Sequence, residues 1–126
     1  MIKRNLFDLQ RIPTSHGAGL KRVLIGNEET DSKITQIAIT DLDHGAHIEE
    51  HIHPDMDEYF YVVKDDHRMC RMYRDDNYAD DISMLITIDG EITECRENDI
   101  VYVSASSRHE MLALSDVTIM TIGVLR

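Results

Sequence analysis

The sequence consists of short runs of β-branched and aromatic residues separated by Gly, Asp, Asn and Ser. Asp89-Gly90 joins two such runs, and this dipeptide is a strong signal for a two-residue β-hairpin. Many short strands at close spacing are typical of an antiparallel sandwich or barrel, so we predict an all-β fold. The predicted strands are 22–25, 34–42, 47–53, 58–64, 83–88, 92–96, 100–104, 109–114 and 117–125.

Helical signals are confined to the N-terminus. Residues 5–12 suit one or two helical turns capped by Asn5, or an extended segment, and no longer stretch keeps a 3.6-residue period. The 126 residues fit one domain that can bury a core without disulfide or metal supports. We predict that residues 1–33 form an N-terminal arm with the first strand or strands, and that residues 34–126 form the barrel.

Composition and charge argue against several classes of function. The net charge of −11 repels phosphate backbones, so nucleic-acid binding is not expected. No apolar stretch approaches the roughly eighteen residues that span a bilayer, so no membrane partner is expected either. The N-terminus lacks a secretory pattern, which predicts a cytoplasmic protein with Cys70 and Cys95 as reduced thiols, while a bridge between them stays open.

Residues 65–81 fit the strand pattern poorly. Residues 67–73 suit either a strand or a helical turn, and the remainder reads as a loop. An insertion of this length in a compact domain is more often functional or partner-facing than idle, and a disordered surface loop is the alternative.

Three histidines and one glutamate have a spacing that suits a metal ion. His51 and His53 are two residues apart and therefore share one side of a strand. Glu58 follows shortly afterwards, and His109 begins another predicted strand. Imidazoles and a carboxylate together make a good site for a divalent transition metal. Each histidine alone would more often be a surface or hydrogen-bonded residue, and only the combination indicates a site.

The carboxylate of this site has two candidates, Asp57 and Glu58. Glu58 shares its side of the strand with Phe60 and Val62, which places a polar group in front of an apolar interior. Barrel mouths hold ligands in this way, with polar groups near strand ends and apolar residues deeper. Strand parity therefore favours Glu58, and Asp57 remains the alternative.

The region around the first two histidines resembles the first motif of the cupins. That motif is Gly, five residues, His-x-His, three or four residues, Glu, six residues and Gly. The spacing is kept here, and Asp65 replaces the last Gly. The matching residues are Gly45, His51, His53 and Glu58.

A second segment is similar to the second cupin motif, which is Gly, five residues, Pro-x-Gly, two residues, His, three residues and Asn. His109 and the spacing are kept. Asn98 stands at the first Gly, Ser104 and Ser106 replace the Pro and Gly of the turn, and Ala113 replaces the final Asn. The motif therefore keeps its histidine and loses its turn residues.

The resemblance covers roughly residues 34–125 and implies a double-stranded β-helix, the jelly-roll or cupin barrel, with a divalent metal near one mouth. Iron, manganese and nickel fit such a site well, and zinc is the fourth candidate, although a tetrahedral zinc with four protein ligands would be closed and structural. The family also implies a homodimer, in which residues 1–19 are the candidate to cover a partner's sheet edge. The implied metal ligands are His51, His53, Glu58 and His109.

Other residues are candidates for roles beside the metal. His47 has the strand parity of the paired histidines and is a candidate acid or base or a rim residue. Glu49 has the same parity and is a candidate to orient a ligand imidazole or to move a proton. Tyr102 is a candidate to bind an anion or move a proton, with turn packing as the alternative. Tyr59 and Tyr61 are predicted to face away from the site. Three further histidines have no predicted partner: His16, His44 and His67.

Three functional hypotheses follow from these residues. Four protein ligands on an octahedral ion leave two positions for a bidentate substrate, or for a substrate and dioxygen. The first hypothesis is therefore a metal-dependent dioxygenase or sugar-type isomerase or epimerase acting on a small polar or anionic metabolite. The second is a non-enzymatic module that binds a metal and a small ligand. The third is a metal that only stabilises the barrel mouth.

Overall fold

The computed structural model describes residues 1–66 and 82–126. Its strands are β1 Ile12–Pro13, β2 Leu20–Ile25, β3 Ile34–Leu42, β4 His47–His51, β5 Met56–Asp65, β6 Ile82–Ile88, β7 Glu91–Arg96, β8 Ile100–Val103, β9 His109–Ala113 and β10 Val117–Leu125. They form a six-stranded sheet in the order β1-β2-β3-β10-β5-β8 and a four-stranded sheet in the order β4-β9-β6-β7. Every strand pairing within the described residues is antiparallel, and the all-β prediction is confirmed.

Most predicted strands are present with small changes at their ends. β3 has its predicted bounds, whereas β4 ends at His51, two residues earlier than predicted. The short β1 was not predicted. The β6–β7 hairpin is confirmed: Asp89 and Gly90 have φ of 48° and 84°, as a turn with two left-handed central residues requires.

The hydrophobic core lies between the two sheets. Side chains alternate between buried and partly exposed along β10, because successive strand residues point to opposite faces. Removing these apolar groups from water is the main contribution to folding stability, at about 25 cal/mol per Å² of apolar surface. The core cluster consists of Leu42, Ile48, Phe60, Val62, Met84, Ile86, Cys95, Val103, Met111, Ala113, Val117 and Ile119.

Cys95 is a free thiol within this core. Burial, and after it the charge of Asp99, raises the pKa of Cys95 to about 11. The side chain is therefore an uncharged thiol at neutral pH and a poor nucleophile. Cys70 lies outside the described residues, as do residues 67–81 of the predicted insertion and His67.

The N-terminal arm continues the six-stranded sheet. Its helical part is one 3₁₀ turn, Leu6–Asp8, in which the Asn5 side chain accepts a hydrogen bond of 2.9 Å from the Phe7 N–H. Gly19 has φ +76°, and a Cβ at this position would lie 2.6 Å from the Asp41 carbonyl oxygen. This close approach, which only glycine allows, holds loop 14–19 against β3. No helix in the described ranges is long and apolar enough to cross a membrane.

Asp65, which replaces the last Gly of the first motif, is a buried carboxylate. The Ser115 hydroxyl donates a hydrogen bond of 2.7 Å to its Oδ1, and the Ser83 hydroxyl donates to its Oδ2. Ser83 and Ser115 are also buried, so the three side chains satisfy one another inside the fold.

Candidate metal site

Four side chains converge at one end of the barrel. Their potential ligand atoms all lie within 4.8 Å of one another, and two of the four residues are buried. They come from the end of β4, the segment after it, β5 and the start of β9. The four residues are His51, His53, Glu58 and His109.

Strand pairing explains why residues so far apart in the sequence meet here. His51 lies opposite His109 in the β4–β9 pair, and their ring centroids are 4.1 Å apart. On the facing sheet, Glu58 is the first buried residue of β5, followed by Phe60 and Val62 at alternate positions. His51 and His109 on the four-stranded sheet therefore face Glu58 on the six-stranded sheet across the barrel mouth.

Backbone carbonyls orient two of the imidazoles. His51 Nδ1 donates to the Glu49 carbonyl oxygen at 2.8 Å, and His109 Nδ1 donates to the Ser107 carbonyl oxygen at 3.0 Å. Each contact assigns the N–H to Nδ1 in the neutral ring, so Nε2 keeps a lone pair. Metal-binding histidines are commonly held in this way by a hydrogen bond at the second ring nitrogen.

Three polar atoms at the centre are buried without a hydrogen-bond partner among the described residues: His53 Nε2, Glu58 Oε1 and His109 Nε2. The Glu58 oxygen lies 3.2 Å from His53 Nε2 and 3.1 Å from His109 Nε2, but their alignment does not meet hydrogen-bond geometry. Burying polar atoms without partners is costly. Lone pairs of two imidazoles and a carboxylate directed at a common point fit a divalent cation.

The electrostatic environment differs between the histidines. Burial, followed by the charges of His109 and His53, lowers the pKa of His51, although the Glu49 carbonyl opposes this shift. Burial also disfavours charged His109, but the Glu58 carboxylate and the Ser107 carbonyl together raise its pKa. The carboxylate of Glu58 is therefore the main negative charge acting on the cluster.

Glu58, and not Asp57, reaches the histidines. Asp57 Oδ1 accepts hydrogen bonds from the Ala105 N–H at 2.8 Å and from Arg126 Nε at 2.9 Å. The Ala105 N–H is the first cause, and Arg126 a further one, of the lowered pKa of Asp57. The side chain of Glu58 therefore lies on the face that strand parity predicted, together with the histidines.

His47 and Tyr102 lie outside the cluster, contrary to the face predicted for His47. The β4–β9 register shifts between Ile48 and His51, so that Ile48 is buried and His47 is exposed. His47 Nε2 contacts Glu110 Oε2 at 3.1 Å. An irregularity of this kind breaks the two-residue period on which the prediction rested.

Tyr102 lies on the outer side of the six-stranded sheet. It pairs with Tyr59, their ring centroids are 5.1 Å apart, and its hydroxyl contacts Arg126 Nη2 at 3.5 Å. Tyr59 and Tyr61 alternate with buried Glu58 and Phe60, as predicted. Neither the contacts nor the exposure of Tyr102 place it at the metal site.

Glu49 contacts the site through its backbone only. Its side chain is exposed, and its carbonyl oxygen is the acceptor for His51 Nδ1. The predicted function of orienting an imidazole therefore belongs to the main chain at this position. A substitution of the Glu49 side chain leaves that carbonyl in place.

His16 is a site residue that the sequence did not indicate. Its ring centroid lies 4.2 Å from that of His51 and 6.3 Å from that of His53. Burial, followed by the charges of His51 and His53, lowers its pKa. His16 belongs to loop 14–19, which has no periodic pattern, so only the packing of that loop on β3 reveals its position.

A cavity opens beside the four residues. It encloses about 470 Å³, including the space at its open mouth. The lining residues are Thr14, Ser15, His16, Lys21, Gln36, Thr40, Ile48, His51, Glu58, Phe60, Met111, Ile119 and Thr121.

Comparison with known proteins shows a likeness in structure alone. No family profile and no curated protein matches the sequence. A predicted oxalate decarboxylase from Thermotoga maritima has a TM-score of 0.76 at 15% identity, with 100% of both chains covered. An RmlC-like cupin from Shewanella frigidimarina has a TM-score of 0.66 at 16% identity, covering 95% of this chain and 87% of that one. The chain has the cupin fold.

A further cupin-like neighbour is KdgF from Halomonas sp., with a TM-score of 0.70 at 14% identity. The alignment covers 95% of this chain and 89% of KdgF. The predicted jelly-roll barrel is thereby confirmed as a fold. Identities this low carry no statement about activity.

The substituted turns of the second cupin motif keep the backbone conformation that glycine would favour. Asn98 has φ 74° and Ser106 has φ 69°. The Asn98 N–H donates to the Val62 carbonyl at 2.7 Å, and the Ser106 N–H donates to the His53 carbonyl at 2.8 Å. Asn is among the residues that best tolerate a positive φ, whereas Ser106 depends on its surroundings. The loss of the turn residues therefore leaves the position of His109 intact.

Proposed function

We propose that this protein is a metal-dependent enzyme of the cupin fold that acts on a small polar or anionic metabolite. The observation that carries the proposal is the convergence of three buried, unpartnered polar atoms on one point beside an open cavity. Iron, manganese and nickel suit a set of three imidazoles and one carboxylate that leaves coordination positions open. The proposed reaction is an oxidation by dioxygen or an isomerisation or epimerisation.

The residues of the chain have distinct functions in this proposal. His51, His53, Glu58 and His109 would hold the ion, which would act as a Lewis acid on a substrate oxygen. The Glu49 and Ser107 carbonyls keep two imidazoles oriented. His16 borders the cavity next to His51 and would limit the shape of a bound ligand. The apolar interior excludes water from the reacting group.

Elemental analysis of protein purified without oxygen tests the metal site. We expect close to one iron, manganese or nickel per chain in the wild type. The double variant His51→Ala/His109→Ala is expected to hold less than about a tenth of that amount, because two of four ligands are gone. A wild type that contains no transition metal and takes up none of these ions, or zinc, when they are added would contradict the proposal.

An oxygen-uptake screen of the metal-loaded protein separates the two proposed reaction types, because only an oxidation by dioxygen consumes oxygen.

The matched control for the metal content of the double variant is His47→Ala, which removes an exposed imidazole from the other face of β4. Its metal content should equal that of the wild type. A loss of metal in His47→Ala as large as in the double variant would show that histidine number, and not the cluster, governs metal content.

We also propose a cytoplasmic homodimer. The outer side of the six-stranded sheet exposes Ile100 and Tyr102 beside Tyr59, and exposed apolar patches mark interaction surfaces. Sedimentation equilibrium at micromolar concentration is expected to give twice the 14.5 kDa chain mass. Ile100→Asp should shift the protein to monomer, whereas Ile92→Asp on the other sheet should not. A monomeric wild type would contradict the dimer.

A further inference from the structure

One lysine, Lys21, lines the cavity from β2, and Glu58 lines it from β5 of the same sheet, with β3 and β10 between these two strands. The uncharged polar residues that line the cavity from β3 and β10 are Gln36, Thr40 and Thr121. Glu58, which belongs to the metal cluster, is the carboxylate of the described lining. The cavity is therefore chemically different at its two ends.

Strand register directs Lys21 into the barrel. Lys21 lies opposite Thr40 in the β2–β3 pair, and Thr40 lies opposite Ile119 in the β3–β10 pair. Thr40 and Ile119 are buried, and directly opposed residues point to the same face of a sheet. The Lys21 side chain thus extends over the inner face, toward the cavity.

The Lys21 ammonium has unused donors. Nζ donates to Gln36 Oε1 at 3.2 Å, and an ammonium offers three N–H groups. No carboxylate in residues 1–66 or 82–126 lies within ion-pair distance of it. An amide partner positions the ammonium without neutralising it.

We propose that the ligand of this cavity is a small dianion, with one chelating end at the metal cluster and a second anionic group bound by Lys21 and Gln36. This inference rests on the proposed metal site. A divalent ion with three neutral imidazoles and one carboxylate keeps about one positive charge, and Lys21 adds a second. Two anionic ends match these two charges, and charge-assisted hydrogen bonds favour the match.

Matched ligand pairs test the proposal by binding and not by turnover. The probes are 2-hydroxy acids with a second carboxylate and the monoanions in which a methyl group replaces that carboxylate: tartronate with lactate, malate with 2-hydroxybutyrate, and 2-hydroxyglutarate with 2-hydroxyvalerate. Titration into Co²⁺-loaded protein is followed by visible absorption and by calorimetry. In at least one pair, the dianion is expected to bind about tenfold more tightly than its counterpart.

Three variants locate the cause of that preference. Lys21→Met and Gln36→Glu should both abolish it, because the first removes the charge and the second neutralises it with little change in shape. Lys21→Arg should retain much of it. Lys33→Met, which removes an exposed lysine from the loop before β3, is the matched control and should bind like the wild type.

The outcomes distinguish the two proposals. Uptake of cobalt without any dianion preference, or a preference that persists in Lys21→Met, overturns the ligand assignment and leaves the metal site standing. If the protein takes up no cobalt, the proposed metal-dependent function is contradicted, and the ligand assignment, which depends on it, is contradicted as well. If Lys21→Met binds the dianion and its monoanionic counterpart more weakly by the same factor, the substitution has damaged the cavity in general. That result would also overturn the ligand assignment.

Discussion

Glu58→Gln is expected to weaken Co²⁺ binding at least about a hundredfold. The substitution keeps the size of the side chain and replaces an anionic oxygen, buried between His53 and His109, by a neutral amide. Mutation of a residue that only hydrogen-bonds to a metal ligand commonly lowers metal affinity by about ten- to a hundredfold. Loss of a ligand itself should lower the affinity at least as much. Titration with Co²⁺, followed by absorption, measures the change.

The control for Glu58→Gln is Asp57→Asn, which removes the same charge one residue away. Asp57 bonds to Ala105 and Arg126 and does not reach the cluster, so Co²⁺ affinity should stay within about threefold of the wild type. Circular dichroism melting checks that both variants are folded. Equal losses in the two variants would mean that total charge, and not a specific ligand, determines affinity.

Asp65→Ala is expected to lower the free energy of unfolding by about 3 kcal/mol. The buried hydroxyls of Ser83 and Ser115 donate to this carboxylate, and the substitution leaves both without their acceptor. A buried polar group without a partner costs about 1–3 kcal/mol. Urea unfolding, with the slope compared between variants, measures the effect.

The triple variant Asp65→Ala/Ser83→Ala/Ser115→Ala separates the cost of unpaired hydroxyls from the loss of packing. It should recover at least about half of the stability that Asp65→Ala loses, because no unpaired hydroxyl remains. A triple variant less stable than Asp65→Ala would show that the serines contribute through other contacts. Metal content should be unchanged in both, because Asp65 lies at the opposite end of β5 from Glu58.

Several features of the fold could be predicted because they depend on neighbouring residues. Alternation along β3 and β10 indicates strands, and Asp89-Gly90 indicates a hairpin, since each pattern reflects the local geometry of the chain. Strand parity likewise separated Glu58 from Asp57. Strand parity placed His47 on the same face as His51 and His53, but His47 is exposed, because the register shift in β4 arises from pairing with β9, about sixty residues away in sequence.

The sequence by itself predicted an all-β sandwich or barrel, because residue alternation is a property of the local chain, and its resemblance to the cupin motifs implied the barrel and the four candidate ligands. Only the tertiary structure placed His16 next to His51 and Lys21 in the same cavity as Glu58. The packing of loop 14–19 and the order of strands decide these positions, and both depend on contacts between distant segments. Sequence motifs therefore indicated the candidate metal ligands, and long-range packing determined the shape and charge of the cavity beside them.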